Sequence, residues 1–505
     1  MKGINGDLIE ARGGWRGTLA RRRYEVLLGC VVLLSLVMRV YASLRCSFWL
    51  DEVWTLQDSG QPWPLVLRGP SREHPPLMYW LVRLSMNAFG TSETAVRLTS
   101  LAFGCVLLVA TYYLCLELEF DPPAALIVVV SVALAPFFLN HAIEARQYAM
   151  MPAFTTLATV FTLRLLRRPT DTGSLVGLAV SGAGAVLTHY FALAYVLALL
   201  GALAVGTVRT WAPRLWSRRV GWKSVLVLAA LALVIGCVAF GALRLVTFYR
   251  SHRIGGRGGS LIDLLRLEFA FVWDAPRVVL VEPFVSAAGL VYVGLRVRGI
   301  ARVIPFGLAF PPCALASLIS TGHFVASRYL APSFVFYQLG ATSALLALWA
   351  LVRGGEGIRP PWSWLRRALA APLLIVPLFV RAAQYPAAFG TGRAYYEGLA
   401  RYFTPARSRT TALVVFPRFP GRFIVEYGYP VKAPVIDLES FAPVPGVRDY
   451  LVADFGRANR RRELEQLVGR HFHVSPRRWE ALPRVELDHT EFQGAVNARL
   501  LHWPR

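Results

Sequence analysis

Two adjacent carboxylates, Asp51 and Glu52, lie between Trp49 and Trp54 in the segment WLDEVW. A carboxylate can accept a proton from an incoming hydroxyl or amine, and tryptophan is enriched where a membrane meets water. This pattern indicates a catalytic base at a membrane surface. A simpler interpretation is equally open: the two acids stabilise the first turn of an interfacial helix that begins at Val53.

Many other ionisable and aromatic side chains fall near the ends of apolar runs that we predict to face the outer side of a membrane. They are Arg72, Glu73, His74, Glu93, Arg97, His141, Glu144, Arg146, Tyr148, His189, Tyr190, His252, Arg253, His323, Arg328 and Tyr329. Ionisable groups at membrane depth are costly and commonly functional, so their concentration on one side predicts a single site. Within it, Arg72, Arg146 and Arg328 are suited to hold a phosphate leaving group while Asp51 activates the acceptor. These residues therefore predict a phosphate-carrying membrane substrate.

Each short segment also has a structural interpretation. The HPPL segment at 74–77 is compatible with a simple turn, because residues before proline avoid the helical region. Glu144 and Arg146 are compatible with an ion pair at the end of a span. His189 and Tyr190 are compatible with ordinary interfacial residues, since tyrosine is common at the membrane surface. Arg328 and Tyr329 are compatible with the start of a span, where the arginine side chain extends toward water.

A divalent metal is a further alternative that the residues leave open. Asp51, Glu52 and His74 carry suitable donor atoms, but their spacing matches no established ligand pattern. We therefore assign no metal ligands and no cofactor.

The composition is that of an integral membrane protein. Of the 505 residues, 55% are hydrophobic and 17% are charged, and the mean hydropathy is +0.47, whereas soluble domains carry about 25% charged residues. The net charge of +24 does not indicate nucleic-acid binding, since the arginines cluster between apolar runs as the positive-inside rule requires. The six cysteines show no CxxC spacing, so neither a disulfide framework nor a zinc site is predicted.

Apolar runs close to the ~20 residues that cross a bilayer predict about eleven transmembrane helices. They lie at 24–43, 94–116, 124–140, 148–165, 173–189, 191–208, 223–246, 277–295, 303–321, 329–351 and 366–383. We interpret the first as an uncleaved span, because its run exceeds a usual signal-peptide core. Arginines at 164–168, 209–219, 296–302 and 353–367 then lie on the cytoplasmic side. The acidic loop at 117–121 does not fit this charge pattern, and 173–208 requires a tight turn near His189.

The apolar segment 1–383 is predicted to be a membrane domain whose first outer loop is about 44–93. Residues 384–505 are then extracytoplasmic and form a small α/β domain, with strands at 411–417 and 450–456 and a helix at 460–469.

Six motifs follow one another along the chain: FWLDEVWTLQ (48–57), HPPLMYWLVRL (74–84), FGTSETAVRLTSLAFG (89–104), NHAIEARQYAM (140–150), LTHYFAL (187–193) and SRYLAPS (327–333). Their order and spacing strongly resemble the bacterial GT-C glycosyltransferases of the protein-mannosyltransferase and lipid A aminoarabinose-transferase type. The resemblance extends over about 45–335. It implies a polytopic GT-C fold and a sugar donor linked to a polyprenyl phosphate rather than to a nucleotide.

By that resemblance, Asp51 is the catalytic acidic residue and Glu52 is its partner. The residues expected to contact the lipid phosphate or shape the pocket are Arg72, His74, Glu144, Arg146, Tyr148, His189, Tyr190, Arg328 and Tyr329. The implied reaction is an inverting displacement at the anomeric carbon, at the outer face of a bacterial cytoplasmic membrane, with a glycan, lipid or protein as acceptor. The alternatives are a transporter or flippase that binds a phosphate-bearing lipid, and a membrane-anchored receptor.

Overall fold

The computed structural model describes residues 15–69, 74–215, 236, 282–312, 327–353, 396–417, 421–422, 424–455, 460–483, 485 and 497–502. Apart from residue 236, the predicted span 223–246 lies outside these residues, as do the predicted span 366–383 and the loop 247–276. Arg72 and Glu73 also lie outside them.

Helices dominate the described residues. In chain order they are α1 (Trp15–Ser43), α2 (Leu50–Gly60), α3 (Trp63–Arg68), α4 (Leu77–Phe89), α5 (Glu93–Glu117), α6 (Pro122–Ala133), α7 (Pro136–Ala142), α8 (Met150–Arg167), α9 (Thr172–Thr188), α10 (Ala192–Leu215), α11 (Glu282–Arg296), α12 (Ile304–Ala309), α13 (Ala331–Arg353), α14 (Tyr396–Tyr402), α15 (Arg461–Phe472) and α16 (Pro476–Ala481). Contacts divide the chain into two compact units. The first contains residues 1–39, 67–78 and 99–385, and the second contains residues 40–66, 79–98 and 386–505.

Three helices in the described part of the chain are long and apolar enough to cross a membrane: Arg22–Ser43, Glu93–Glu117 and Arg328–Ala350. A fourth candidate is the bent pair α6 and α7. Shorter apolar helices occupy other predicted spans, among them Thr172–Thr188 and Ala192–Gly206. A helical membrane protein is therefore supported, and the count of about eleven spans stays a prediction.

The predicted span 124–140 is not one straight helix. It is divided into α6 and α7, which meet at an angle of 64°. Pro136 begins α7, and Ala135 before it has extended backbone angles (φ −67°, ψ 123°). Because proline lacks an N–H and disfavours helical geometry in the preceding residue, an unbroken helix cannot pass this point.

The acidic loop that departed from the charge pattern has a local explanation in the first unit. Glu117, at the end of α5, accepts hydrogen bonds from Arg164 Nε (2.7 Å) and Arg167 Nη1 (3.2 Å) near the end of α8. The acids and arginines thus lie at the same end of these helices. This agrees with the predicted parity, in which both helix ends share one side of the membrane.

Helix packing in the first unit depends on small residues in at least one place. A side chain on Gly289 of α11 would lie 1.8 Å from the carbonyl oxygen of Gly340 in α13. The two helices therefore contact each other backbone to backbone, as small residues permit in membrane helix pairs. The turn predicted near His189 is present between α9 and α10.

The second unit contains a four-stranded sheet of order β2-β1-β3-β4. Strands β1 (Thr411–Phe416), β2 (Val435–Asp437) and β3 (Asp449–Asp454) are parallel, and β4 (Asn497–His502) is antiparallel to β3. All six residues of β1 are buried, because apolar side chains cover both faces of a parallel sheet. The segments predicted as strands are strands, and the predicted helix corresponds to α15.

Candidate functional site

The predicted site residues of the first unit come from four separated parts of the chain. His74 precedes α4, and Arg146 and Tyr148 lie in the irregular segment between α7 and α8. His189 follows the last residue of α9, and Tyr329 lies in the short turn before α13. Each side chain stands at a helix end, where the backbone leaves regular structure. The structure brings these residues into one cluster.

His74 is the hydrogen-bonded centre of this cluster. Its Nε2 atom is 2.9 Å from Arg146 Nη2, and its Nδ1 atom is 3.1 Å from the side-chain amide of Gln147. A guanidinium group can only donate, so Nε2 accepts and the ring proton is on Nδ1. The amide of Gln147 must then present its oxygen to that proton, which a half-turn of the amide provides. His74 is therefore a neutral ring in a defined tautomer.

The electrostatic surroundings agree with this assignment. Burial, followed by the positive charges of Arg146 and Arg328, holds the pKa of His74 well below its ordinary value of 6.5. Both effects disfavour a charged imidazolium. A neutral His74 can orient Arg146 without adding a third positive charge.

Tyr148 and His189 each have a buried polar atom with no hydrogen-bond partner among the described residues. These atoms are the hydroxyl of Tyr148, which is fully buried, and Nε2 of His189, whose side chain is 3% exposed. The Phe191 N–H donates to Nδ1 of His189 (3.2 Å), so a neutral His189 carries its proton on Nε2. Leaving such groups unsatisfied costs roughly 1–3 kcal/mol each. Both are therefore available to bind a ligand atom.

Two arginines lie against the ring of Tyr148. The guanidinium carbon of Arg146 is 5.9 Å from the ring centroid, and that of Arg328 is 5.2 Å from it. Both contacts are within cation–π range. Arg146 is 6% exposed, so positive charge is concentrated here away from water. An anion bound between the guanidinium groups would offset their mutual repulsion and form charge-assisted hydrogen bonds.

Neighbouring aromatic rings complete the cluster. Tyr329 lies 4.8 Å from His189 and 6.3 Å from Tyr148, measured between ring centroids. His74 and His189 are 5.8 Å apart. Tyr190 is buried in the same turn as His189. These flat apolar surfaces reduce the access of water to the two arginines, which strengthens any electrostatic contact they make.

Glu144 has a partner that the sequence did not indicate. Its Oε2 atom is 2.7 Å from Nδ1 of His141, and both side chains are largely buried. The ring of His141 is 5.1 Å from the ring of Tyr148. Glu144 thus fixes the ring of a histidine that packs on the cluster.

The second unit contains the acidic pair. Asp51 and Glu52 are in the first turn of α2, which begins at Leu50 rather than at Val53. The Trp49 N–H donates to Oε2 of Glu52 (3.2 Å), so the helix-capping interpretation is correct for Glu52. Asp51 is half-buried and lies in the same first turn, where an acidic side chain is favourable.

Glu52 also forms a fully buried ion pair with Arg97. Nε and Nη2 of Arg97 bind the two carboxylate oxygens at 2.7 and 2.8 Å. The other N–H groups of Arg97 donate to the carbonyl oxygens of Ser43 (2.9 Å), Cys46 (2.6 Å) and Ser47 (2.9 Å). All five donors of the guanidinium are thereby used. The segment before α2 is fixed to α5 through this one side chain.

Sequence reasoning did not assign Gln147, His141 or Arg97 to specific roles, although all three lie in or beside the quoted motifs. Asp51 belongs to the second unit, so its convergence with Arg146 and Arg328 stays a prediction. Among the described residues, no group of three or more His, Cys, Asp and Glu side chains could hold a metal ion.

Comparison with known proteins identifies similar chains. Residues 73–239 match the family described as dolichyl-phosphate-mannose-protein mannosyltransferase. The crystal structure of ArnT from Cupriavidus metallidurans bound to undecaprenyl phosphate has a TM-score of 0.52 and 14% identity, over 95% of this chain and 98% of that chain. Its apo structure has a TM-score of 0.51 and 14% identity, over 96% and 98%. The apo oligosaccharyltransferase of Archaeoglobus fulgidus has a TM-score of 0.49 and 13% identity, over 88% and 71%.

No curated protein matches the chain. At 14% identity, the likeness to ArnT over nearly the whole length of both chains concerns the fold.

Proposed function

We propose that this chain is a GT-C glycosyltransferase that transfers a sugar from a polyprenyl-phosphate donor to an acceptor at the outer face of a bacterial cytoplasmic membrane; the family match over 73–239 and the ArnT-like fold support this. The observation that carries the proposal is the buried cluster around Tyr148, with Arg146 and Arg328 on its ring. The crystal structure of ArnT contains undecaprenyl phosphate, and we assign the same class of lipid carrier to this chain.

The cluster has the chemistry that a lipid phosphate requires. Arg146 and Arg328 supply positive charge to the phosphate oxygens as the glycosidic bond breaks. The N–H of His189 and the hydroxyl of Tyr148, which have no partner among the described residues, supply directional hydrogen bonds. Since phosphate leaves as a stable anion, no general acid is required on the leaving-group side.

Asp51 is the proposed base. It removes the proton of the acceptor hydroxyl or amine as that atom attacks the anomeric carbon from the face opposite the phosphate, and the configuration is inverted. The bond to the phosphate oxygen breaks, its electron pair stays on the phosphate, and the transition state has oxocarbenium character. We assign Glu52 a different part: through Arg97 it fixes the segment that carries Asp51, which is the preorganisation that such a base needs.

The proposal is tested by reconstituting the purified full-length protein in vesicles with radiolabelled polyprenyl-phosphate sugars and candidate acceptors. We expect time-dependent release of polyprenyl phosphate and transfer of label to one acceptor class. NMR of the product must show the anomeric configuration opposite to that of the donor. A protein that moves the labelled lipid between leaflets without breaking the glycosidic bond would establish the transporter alternative.

A further inference from the structure

The C-terminal part of the second unit contacts the segment that carries Asp51. Tyr429 follows the helical turn Ile424–Gly428 and is 7% exposed. Its hydroxyl donates to Oε1 of Glu93 (2.8 Å) and accepts a hydrogen bond from the backbone N–H of Phe48. The ring of Tyr429 packs on the ring of Phe48, with centroids 6.1 Å apart.

These contacts add to those of Arg97 on the same stretch of chain. Phe48 is three residues before Asp51, between Ser47, which Arg97 binds through its carbonyl, and Trp49, which bonds to Glu52. The stretch is therefore held at successive residues. Tyr429 holds it from a point 381 residues away in sequence.

A second contact joins the same turn to α2. A side chain on Gly428 would place its Cβ 2.9 Å from Cγ2 of Val53, a fully buried residue in the first turn of α2. Glycine at 428 thus lets the turn lie against α2 without a shift of Val53. Val53 is two residues after Asp51, so any displacement of this turn acts close to the carboxylate.

The hydroxyl of Tyr429 is suited to a fixed donor. Burial, together with the negative charge of Glu93, raises its pKa above the ordinary value of 10. The group stays protonated at every physiological pH, and its single proton is given to Glu93.

We propose that Tyr429 is a positioning residue for Asp51, so that the C-terminal segment sets the rate of sugar transfer by holding Phe48 and the first turn of α2. This inference rests on the proposed function. Its consequence is that residues 386–505 are part of the catalytic apparatus and not only an appended domain.

The first test is Tyr429→Phe in the full-length protein, with Tyr427→Phe as the control, since Tyr427 is in the same turn and 47% exposed. Tyr429→Phe keeps the ring and removes the hydrogen bonds that the hydroxyl makes with Glu93 and with the Phe48 N–H. We expect kcat to fall about tenfold with the donor KM unchanged within about twofold, because small misplacements of a reacting group mainly slow the chemical step. Glu93→Gln retains an acceptor for the hydroxyl and is expected to keep most of kcat, whereas Glu93→Leu reproduces the loss.

Hydrogen exchange of peptides covering residues 44–52 provides a readout independent of activity. Tyr429→Phe must accelerate exchange there, and Tyr427→Phe must not. A fall in kcat without faster exchange would overturn the proposal, as would no change in either. If the wild-type protein transfers no sugar from any donor, the proposed function fails, while faster exchange in Tyr429→Phe still supports the hold on Phe48.

A second arm covers the case in which Tyr429→Phe does not fold. Gly428→Ala is expected to lower kcat in the wild-type background but not in a Val53→Ala background, where the clashing methyl group is absent. Gly60→Ala, at the end of α2 with open space around it, is the control. Equal losses in both backgrounds would contradict positioning through Val53.

Discussion

Arg97 binds Glu52 through both carboxylate oxygens, at 2.7 and 2.8 Å, and neither side chain is exposed to solvent. Two fully buried charges are tolerated because each is satisfied: the guanidinium by five acceptors, the carboxylate by Arg97 and the Trp49 N–H. Removing one partner leaves the other as an uncompensated buried charge. The position of the loop before α2 therefore depends on this one buried ion pair, because Arg97 also binds three carbonyl oxygens of the loop.

Glu52→Gln is expected to destabilise the protein by roughly 3–5 kcal/mol, the usual cost of breaking a buried ion pair. The measurement is thermal unfolding of the purified protein in detergent. Arg97→Lys, with Glu52 unchanged, should also lower the melting temperature. The three donors of an ammonium group cannot replace the five donors of a guanidinium group in fixed geometry. Glu463→Gln is the control, since Glu463 pairs with Arg460 at the exposed end of α15. Equal melting temperatures for Glu52→Gln and this control would contradict the structural role of the pair.

Asp51→Asn is expected to abolish sugar transfer while the protein remains folded and in the membrane, because asparagine cannot accept the acceptor's proton. Turnover of radiolabelled donor and thermal unfolding are measured on the same preparation. Asp58→Asn is the matched control: it makes the same change, also at a half-buried position of α2. Normal turnover by Asp51→Asn would refute the catalytic assignment.

Arg146→Ala is expected to weaken donor binding more than acceptor binding. Loss of a hydrogen bond to a charged group costs about 1.5–3 kcal/mol, which corresponds to roughly a tenfold or greater rise in the apparent donor Kd. Titration with polyprenyl phosphate alone measures this without turnover. Arg164→Ala, which breaks the pair with Glu117, changes a charge elsewhere in the same unit and should leave the donor Kd unchanged. An unaltered Kd in Arg146→Ala would count against the phosphate clamp.

The sequence predicted the parts of the site better than their pairing. The carboxylates at 51 and 52 could be interpreted from the sequence because their effect is local: both stand in a first helical turn. Pro136 is an equally local signal, but the predicted span 124–140 passed through it and missed the break. Glu52 and Arg97 are 45 residues apart, and Tyr429 and Glu93 are 336 apart. Nothing in the spacing of either pair specifies contact, since both depend on how complete helices and the sheet domain pack.

The acidic loop after α5 is a second case in which the sequence alone did not reveal a contact between distant residues. Charge counting treated Glu117 as an exception to the positive-inside pattern, because the rule considers each loop separately. In the folded chain its carboxylate is neutralised by Arg164 and Arg167. The rule placed both helix ends on one side of the membrane, which is compatible with these ion pairs, but it could not identify the pairing itself.

The pKa of His74 gives the stability of the protein a defined pH dependence. Because burial and Arg146 hold this pKa well below 6.5 in the folded state, the unfolded chain binds more protons as the pH falls. The contribution of neutral His74 to the free energy of unfolding is thus fully present above the pKa of an unfolded histidine, ~6.5. It declines as the pH falls below that value toward the folded pKa.

We expect His74→Asn to reduce the dependence of the melting temperature on pH between about pH 5 and 6.5. The control is His473→Asn, at an exposed position with φ 54° that asparagine tolerates. It should retain the wild-type slope, and an equally steep slope in His74→Asn would show that His74 is not held neutral by the cluster.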